Sequence, residues 1–197
     1  MELTGHTPEV FLSIVIPAYN EGERIGATLD KIRNYLASKR FIAEVIVVDD
    51  GSTDNTAGLL RAAAAHWPQL RVLVNSGNRG KGFSVRRGVL EAKGALILFT
   101  DLKIRDTQCG LKLFRRDSTR HAFESQQVTG FGFDPELLFL IERRGGSVVE
   151  VPVRWNDNPA TKVHFLRDSA RMFFDLVALL WRARTGKYGD LSRGPEI

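Results

Sequence analysis

The sequence predicts an α/β domain whose mostly parallel sheet is covered by helices on both faces. Short runs rich in Ile and Val alternate with amphipathic stretches of helical period over the first hundred residues. Those runs are apolar throughout rather than alternating, as expected of strands buried on both faces. The 43% hydrophobic fraction over 197 residues is enough for one real core, so a folded domain rather than a disordered chain is expected.

Phe11–Ala18 (FLSIVIPA) reads as the first buried strand, closed by the polar Tyr19-Asn20-Glu21-Gly22. Ile25, Leu29, Ile32 and Leu36 recur at helical spacing and give a helix ending near Ser38. Glu44–Val48 (EVIVV) is the second strand, stopping at Asp49-Asp50-Gly51-Ser52. Asp54 or Ser52 is placed to cap the next helix, which carries Ala57, Leu60 and Ala64 and stops at Pro68. Arg71–Val74 is a third strand and Ala95–Phe99 a fourth. Between them lie a Gly-rich turn, Asn75–Gly82, and a helix running through Lys93.

After Asp101 the rhythm breaks. Residues 110–114 (GLKLF) look like a strand, yet Leu102–Cys109 is too short for a parallel crossover, so this strand should run antiparallel to the fourth. Helices are expected around Ser118–Glu124, over Pro135–Arg143 and over Leu166–Arg184, with a last strand at Ser147–Val153.

A formal net charge of +5 suits an anionic partner: a nucleotide, a lipid phosphate, an anionic membrane surface or nucleic acid. A solvated basic surface accounts for it equally well. Nucleic acid is the weakest of these readings, because no aromatic-plus-basic motif is present. Cys109 is the only cysteine, which excludes an intrachain disulfide and makes a reducing compartment the default; its simplest role is a small buried residue. The first ten residues do not read as a signal peptide, and no apolar run approaches the roughly 20 residues a membrane span needs. The expected location is cytoplasmic, with peripheral contact at the inner face of the cell membrane as an option.

In open α/β sheets, ligands bind beyond the carboxyl ends of the strands. Four segments put polar or glycine residues there: PAYNEGE, DDGSTDN, NSGNRGKG and Thr100-Asp101. Asp49 and Asp50 can accept hydrogen bonds from a base N–H or a ribose hydroxyl, while Gly51 allows a tight turn. A plain helix-capping turn explains the same residues. Lys81, between Gly80 and Gly82, can approach a diphosphate, although P-loop spacing is missing and NRGKG alone is more often an ordinary loop. Asp101 is positioned to ligate Mg²⁺ or Mn²⁺ between diphosphate oxygens. His6, His66, His121 and His164 show no metal-ligand spacing.

These segments resemble the family 2 glycosyltransferases, most of all the dolichyl-phosphate β-glucosyltransferases and their bacterial polyprenyl-phosphate relatives. LSIVIPAYNEGERI is similar to the family's first strand and nucleotide loop, and VIVVDDGSTDNT to its second. NRGKGFSVRRGVLEAKG resembles a third block, and ILFTD opens the block that carries the metal-binding DxD. RDTQCGLKLFRR, TGFGFDPELLFLIERRGG, VVEVPVRWND, TKV and RDSARMFFDL extend the match, which spans about residues 11–184. The resemblance implies a three-layer, Rossmann-like GT-A fold at 11–162, preceded by a short extension over 1–10 and followed by an amphipathic helix and tail over 163–197.

By the same resemblance, Pro17, Ala18, Tyr19, Glu21, Asp49, Asp50, Ser52, Gly80 and Lys81 line a site for a UDP-sugar. Asp101 matches one aspartate of the DxD and serves as metal ligand and catalytic residue. Arg115, also taken as catalytic, joins Arg154 and Lys162 as candidates for gripping the acceptor phosphate. Tyr19, Phe131 and Phe133 are expected to shape the site. The implied reaction moves a hexose, first of all glucose, from UDP to polyprenyl or dolichyl phosphate, inverting the anomeric carbon by direct displacement. The attacking phosphate oxygen is already anionic; a divalent metal and cationic side chains stabilise the departing diphosphate.

One departure stands out. Family members read FTDADLS or similar and continue for several dozen residues before DTQCG; here FTD runs into LKIRDTQCG. The second acidic residue of the DxD is gone, with a helix, a strand and part of the acceptor wall. Asp106 is the carboxylate near enough in sequence to stand in. A rival reading is therefore a UDP- or membrane-binding remnant of the fold.

The C-terminal helix carries a broad apolar face of Leu166, Ala170, Phe173, Phe174, Val177, Leu180 and Trp181, broken by Asp168 and Asp175. Arg167, Arg171, Arg182, Arg184 and Lys187 lie near its ends. Such a helix packs on the domain or lies in a headgroup region, and a wide face permits both.

Overall fold

The structure is a computed structural model that describes residues 10–100, 111–130, 132–152 and 165–188, with the backbone alone described over 165–173. Five strands form one sheet in the order β3-β2-β1-β4-β5. β1 (Leu12–Ala18) lies between β2 (Ala43–Asp49) and β4 (Leu96–Thr100) and is parallel to both; β3 (Leu70–Val74) is parallel to β2. β5 (Leu111–Arg115) runs antiparallel to β4, with Thr100 opposite Leu111 and Leu96 opposite Arg115. The short connection dictates that direction, because a parallel return needs a dozen or more residues.

The helices are α1 (Ile25–Ala37), α2 (Thr56–Ala65), α3 (Lys81–Glu91), α4 (Arg116–Ser125), α5 (Phe133–Arg143) and α6 (Phe165–Arg184). Because side chains alternate along a strand, the sheet divides the core in two. Ile14, Ile16, Val45 and Val47 pack with Ile25 and Leu29 of α1 and Leu60 of α2. Val15, Ile46, Val48, Ile97 and Phe99 pack on the other face with Val85 and Val89 of α3 and Leu137 and Leu140 of α5. Gly88 lets α3 settle onto that face: a Cβ there would stand 2.5 Å from the Val15 side chain. The result is the predicted three-layer arrangement.

Two local readings are corrected. Residues 147–152 form no strand, and Val148, Val149 and Val151 are exposed. Valines favour a strand only where a neighbour completes the ladder, and Pro152 removes a donor from the run. Neither Asp54 nor Ser52 is the N-cap of α2: that place falls to Asn55, which makes no side-chain cap hydrogen bond, while Asp54 just before it accepts from the Thr56 N–H at 2.9 Å through Oδ1. Among the described residues no helix is long and apolar enough to cross a membrane.

Candidate functional site

The parallel strands β1, β2 and β4 end together, and the loops leaving them are tied to one another. Asn20, just past β1, takes a left-handed conformation at φ 52°, which asparagine tolerates better than most residues. Its N–H donates to Ser52 Oγ at 2.9 Å, and its Oδ1 accepts from the Thr53 N–H at 2.8 Å. Glu21 N–H donates to Thr56 Oγ1 at 2.8 Å and Gly22 N–H to Asp54 Oδ2 at 3.0 Å. PAYNEGE and DDGSTDN thus form one hydrogen-bonded rim.

Asp49 and Asp50 are both buried and hold different things. Asp49 Oδ1 accepts from the N–H and hydroxyl of Ser52, closing the turn after β2. Asp50 reaches the glycine-rich turn instead. Its Oδ1 accepts from Asn75 Nδ2 at 2.6 Å and the Arg79 N–H at 2.9 Å; its Oδ2 accepts from the Gly80 N–H at 2.8 Å. Gly51 stands at φ 70°, and a Cβ on it would fall 2.5 Å from Gly77 Cα, so only glycine lets the two loops meet. Asn75 is held in turn: its Nδ2 donates to Ser84 Oγ at 2.9 Å and its Oδ1 accepts from Arg87 Nη1 at 2.6 Å.

The predicted site residues fall into three groups. Pro17 and Ala18 are buried at the end of β1, Tyr19 is half-buried, and Glu21 is buried against Arg24 at 2.6 Å. With Asp49, Asp50, Ser52, Gly80 and Lys81 they gather at the carboxyl edge of the sheet, as expected. Asp101, Phe131, Arg154 and Lys162 lie outside the described residues, as do Asp106 and Cys109. Arg115 is not brought to the crevice. It faces Leu96, the first residue of β4, which puts it about 13 Å by strand rise from the end of that strand. The antiparallel direction of β5 is the reason: it carries Leu111 to the crevice and Arg115 away from it. Phe133 is a fully buried side chain whose ring centroid lies 5.9 Å from Lys81 Nζ.

Three features of the site were not singled out by sequence reasoning. The first is the segment over 126–130, which covers the start of α3. Thr129 O accepts from the Phe83 N–H at 3.2 Å, and Gln126 Nε2 donates to Gly82 O at 3.0 Å. A Cβ on Gly80 would lie 2.4 Å from Thr129 O, and one on Gly82 2.8 Å from Val128 O. The second is Glu136, fully buried, whose carboxylate accepts from the N–H groups of Gln127 and Val128 and from the Tyr188 hydroxyl. The third is the ion pair of Lys112 Nζ with Asp134 Oδ1 at 3.0 Å. A signal for Lys112 existed: period-two alternation puts it on the same face as the buried Phe114. His66 lies at the opposite edge of the sheet, in an open groove of about 400 Å³ lined also by Arg33, Phe41 and Trp67. Among the described residues no group of three His, Cys, Asp or Glu side chains is placed to hold a metal ion.

The family model for glycosyl transferase family 2 matches residues 13–102. The chain is 32% identical to dolichyl-phosphate beta-glucosyltransferase ALG5C of Trichomonas vaginalis, covering 90% of this chain and 73% of that protein. It is 29% identical to the dolichyl-phosphate beta-glucosyltransferase of Saccharomyces cerevisiae, covering 92% of this chain and 78% of the relative. Among solved structures, a mannosyltransferase from Pyrobaculum calidifontis in complex with GDP-Man and Mn²⁺ is similar at 29% identity and a TM-score of 0.41, over 46% of this chain and 26% of that one. The Trichomonas alignment runs over 247 positions yet takes up 90% of a 197-residue chain, which leaves roughly 70 positions that the relative fills and this chain does not.

Proposed function

The chain belongs to glycosyl transferase family 2, and on that premise we propose that it transfers a hexose, first of all glucose, from a UDP-sugar to polyprenyl or dolichyl phosphate. One observation carries the reading: similarity to a dolichyl-phosphate beta-glucosyltransferase extends over 90% of the chain. The fold is of the family's GT-A type, and roughly 70 positions of the relative have no counterpart in this chain.

The geometry supports a division of labour. The rim built from Tyr19, Asn20, Asp49 and Ser52 offers acceptors and backbone to a uridine. Asp50 fixes the loop that ends in Lys81, so the lysine is presented to the diphosphate from a rigid base. In the transfer an oxygen of the lipid phosphate attacks the anomeric carbon, the bond from that carbon to the diphosphate oxygen breaks, and UDP leaves with the electron pair. Attack opposite the leaving group inverts the carbon. An anionic nucleophile needs no base, so what the protein supplies is alignment and positive charge. Asp101, which lies outside the described residues, is the carboxylate that would hold Mg²⁺ or Mn²⁺, and the ion would supply positive charge to the departing diphosphate.

The acceptor is a lipid, and α6 suits a membrane surface. Leu179 and Tyr188 are buried against the domain, whereas Phe174, Val177, Leu180 and Trp181 are exposed beside Arg184 and Lys187. Lys187 Nζ stands 4.2 Å from the Trp181 ring centroid. An apolar row edged by cations and an indole fits the headgroup layer of an anionic, cytoplasm-facing leaflet. A second reading, UDP binding without turnover, is favoured by the loss of the second acidic residue after Asp101. Calorimetric titration of UDP-glucose with and without Mn²⁺ separates the outcomes. Metal-dependent binding supports the transferase, metal-independent binding of UDP alone supports the remnant, and no binding of either contradicts both.

A further inference from the structure

The start of β5, the starts of α3 and α5 and the end of β4 come together at the carboxyl edge of β4. Lys112, in the second position of β5, is the cross-strand partner of Phe99, so the two side chains share one face of the sheet. Its Nζ lies 5.9 Å from the Phe99 ring centroid. α3 opens at Lys81, whose Nζ lies 5.6 Å from the same ring and 5.9 Å from that of Phe133. α5 opens at Phe133, and Asp134 in its first turn holds Lys112 Nζ at 3.0 Å. Thr100, at the end of β4, leads into Asp101.

The Lys112–Asp134 pair is largely out of water, with side chains 18% and 6% exposed. A buried ion pair of this kind contributes little net stability over an apolar pair of the same size. Packing alone therefore does not account for a lysine on the core-facing side of a strand. Its place in the crevice does. Lys81 and Lys112 approach one ring from different elements, and the aromatic floor excludes water, which strengthens their pull on an anion. The first-turn N–H of Phe83 in α3 is taken by Thr129 O.

We propose that Lys112, oriented by Asp134, acts with Lys81 as a phosphate-binding pair of the transfer site. This rests on the glycosyltransferase reading and deepens it. Lys112 binds phosphate oxygens brought by the UDP-sugar or by the lipid phosphate; Asp134 is a positioning residue that keeps the ammonium over Phe99.

The test is calorimetry on the full chain with three probes: UDP, uridine, and citronellyl phosphate as a short water-soluble lipid phosphate. Lys112→Met is expected to weaken a phosphate-bearing ligand about tenfold to a hundredfold, the range for a lost charge-assisted hydrogen bond, while uridine binding stays within about twofold. Lys112→Arg should restore most of the loss, and Asp134→Asn should fall between. A loss confined to UDP assigns the pair to the donor diphosphate, and one confined to citronellyl phosphate assigns it to the acceptor; either supports the proposal. Unchanged binding of both overturns it, as does an equal loss of uridine and UDP, which would make Lys112 merely structural. A thermal melt by circular dichroism accompanies each variant. If Lys112→Met does not fold, the same split between UDP and uridine is read on Asp134→Asn. Wild-type chain that binds neither UDP nor citronellyl phosphate contradicts the functional reading itself, whereas wild-type binding left untouched in Lys112→Met overturns only this assignment.

Discussion

The hydroxyl of Tyr188, just past α6, donates to the buried carboxylate of Glu136 in α5 at 2.5 Å, across 52 positions of sequence. The same carboxylate accepts from Gln127 and Val128, and the segment they begin lies on Gly80 and Gly82 at the start of α3. One side chain thus links the end of the exposed C-terminal helix to the loop that presents Lys81.

Burial first, and then the Glu136 carboxylate, push the Tyr188 phenol far above its usual 10.0. A raised folded pKa stabilises fully below the unfolded value, and that contribution is lost as pH rises past it. Wild-type protein is expected to lose stability above about pH 10 more steeply than Tyr188→Phe, as unfolded tyrosine ionises and the buried one does not. At neutral pH Tyr188→Phe should cost about 1–3 kcal/mol, because a buried carboxylate loses a donor. Urea melts at pH 7 and pH 10.5 check both.

Asp50→Asn replaces one carboxylate oxygen by an NH₂ group facing backbone N–H donors from Arg79 and Gly80. The expected cost is about 1–3 kcal/mol, with weaker UDP binding because Lys81 loses its fixed base. Equal stability and equal UDP affinity in the variant would contradict the role given to Asp50.

Gly80→Ala should destabilise by at least ~1 kcal/mol, since φ is 97° and the new methyl would meet Thr129 O. Gly26→Ala is the control, because nothing outside its own stretch of helix backbone lies within 4 Å of its ideal Cβ and the residue is helical. That change should be neutral or mildly stabilising by thermal melt.

Burial works against the Glu44 carboxylate, but hydrogen bonds from the Lys93 N–H, Ser13 and Arg71 outweigh it and hold its pKa below 4.5. A lowered folded pKa means stability present above the unfolded value and lost as pH falls through the folded one. Wild-type protein should therefore lose its advantage over Glu44→Gln as pH drops below about 4.5. Urea melts from pH 3 to pH 7 measure it.

Leu180→Ser with Trp181→Ser should leave stability within about 0.5 kcal/mol per site, both residues being 55% exposed. Binding to vesicles of anionic phospholipid should fall at least tenfold. Unchanged sedimentation with such vesicles would contradict the membrane reading of α6.

The sheet was legible because FLSIVIPA and EVIVV are too apolar to be anything but strands buried on both faces. The direction of β5 followed from the length of one connection. That same direction already implied that Arg115 points away from the crevice, and following the strand to its end would have shown it. Residues 147–152 misled because a strand is a property of two segments and valine content describes only one. The support of the site was illegible for another reason. Tyr188 with Glu136, Asp50 with Gly80, and Lys112 with Asp134 are contacts across 20 or more positions, and spacing along the chain carries no trace of them.

The most direct measurement is transfer itself. Purified chain is incubated with UDP-glucose, Mn²⁺ and a polyprenyl phosphate in anionic vesicles, and the lipid fraction is read by mass spectrometry. A hexosyl polyprenyl phosphate that forms with wild-type protein and is abolished in Asp101→Ala is the predicted result. Folded protein that binds UDP-glucose and yields no glycosylated lipid would contradict it, leaving the family's sheet without the family's chemistry.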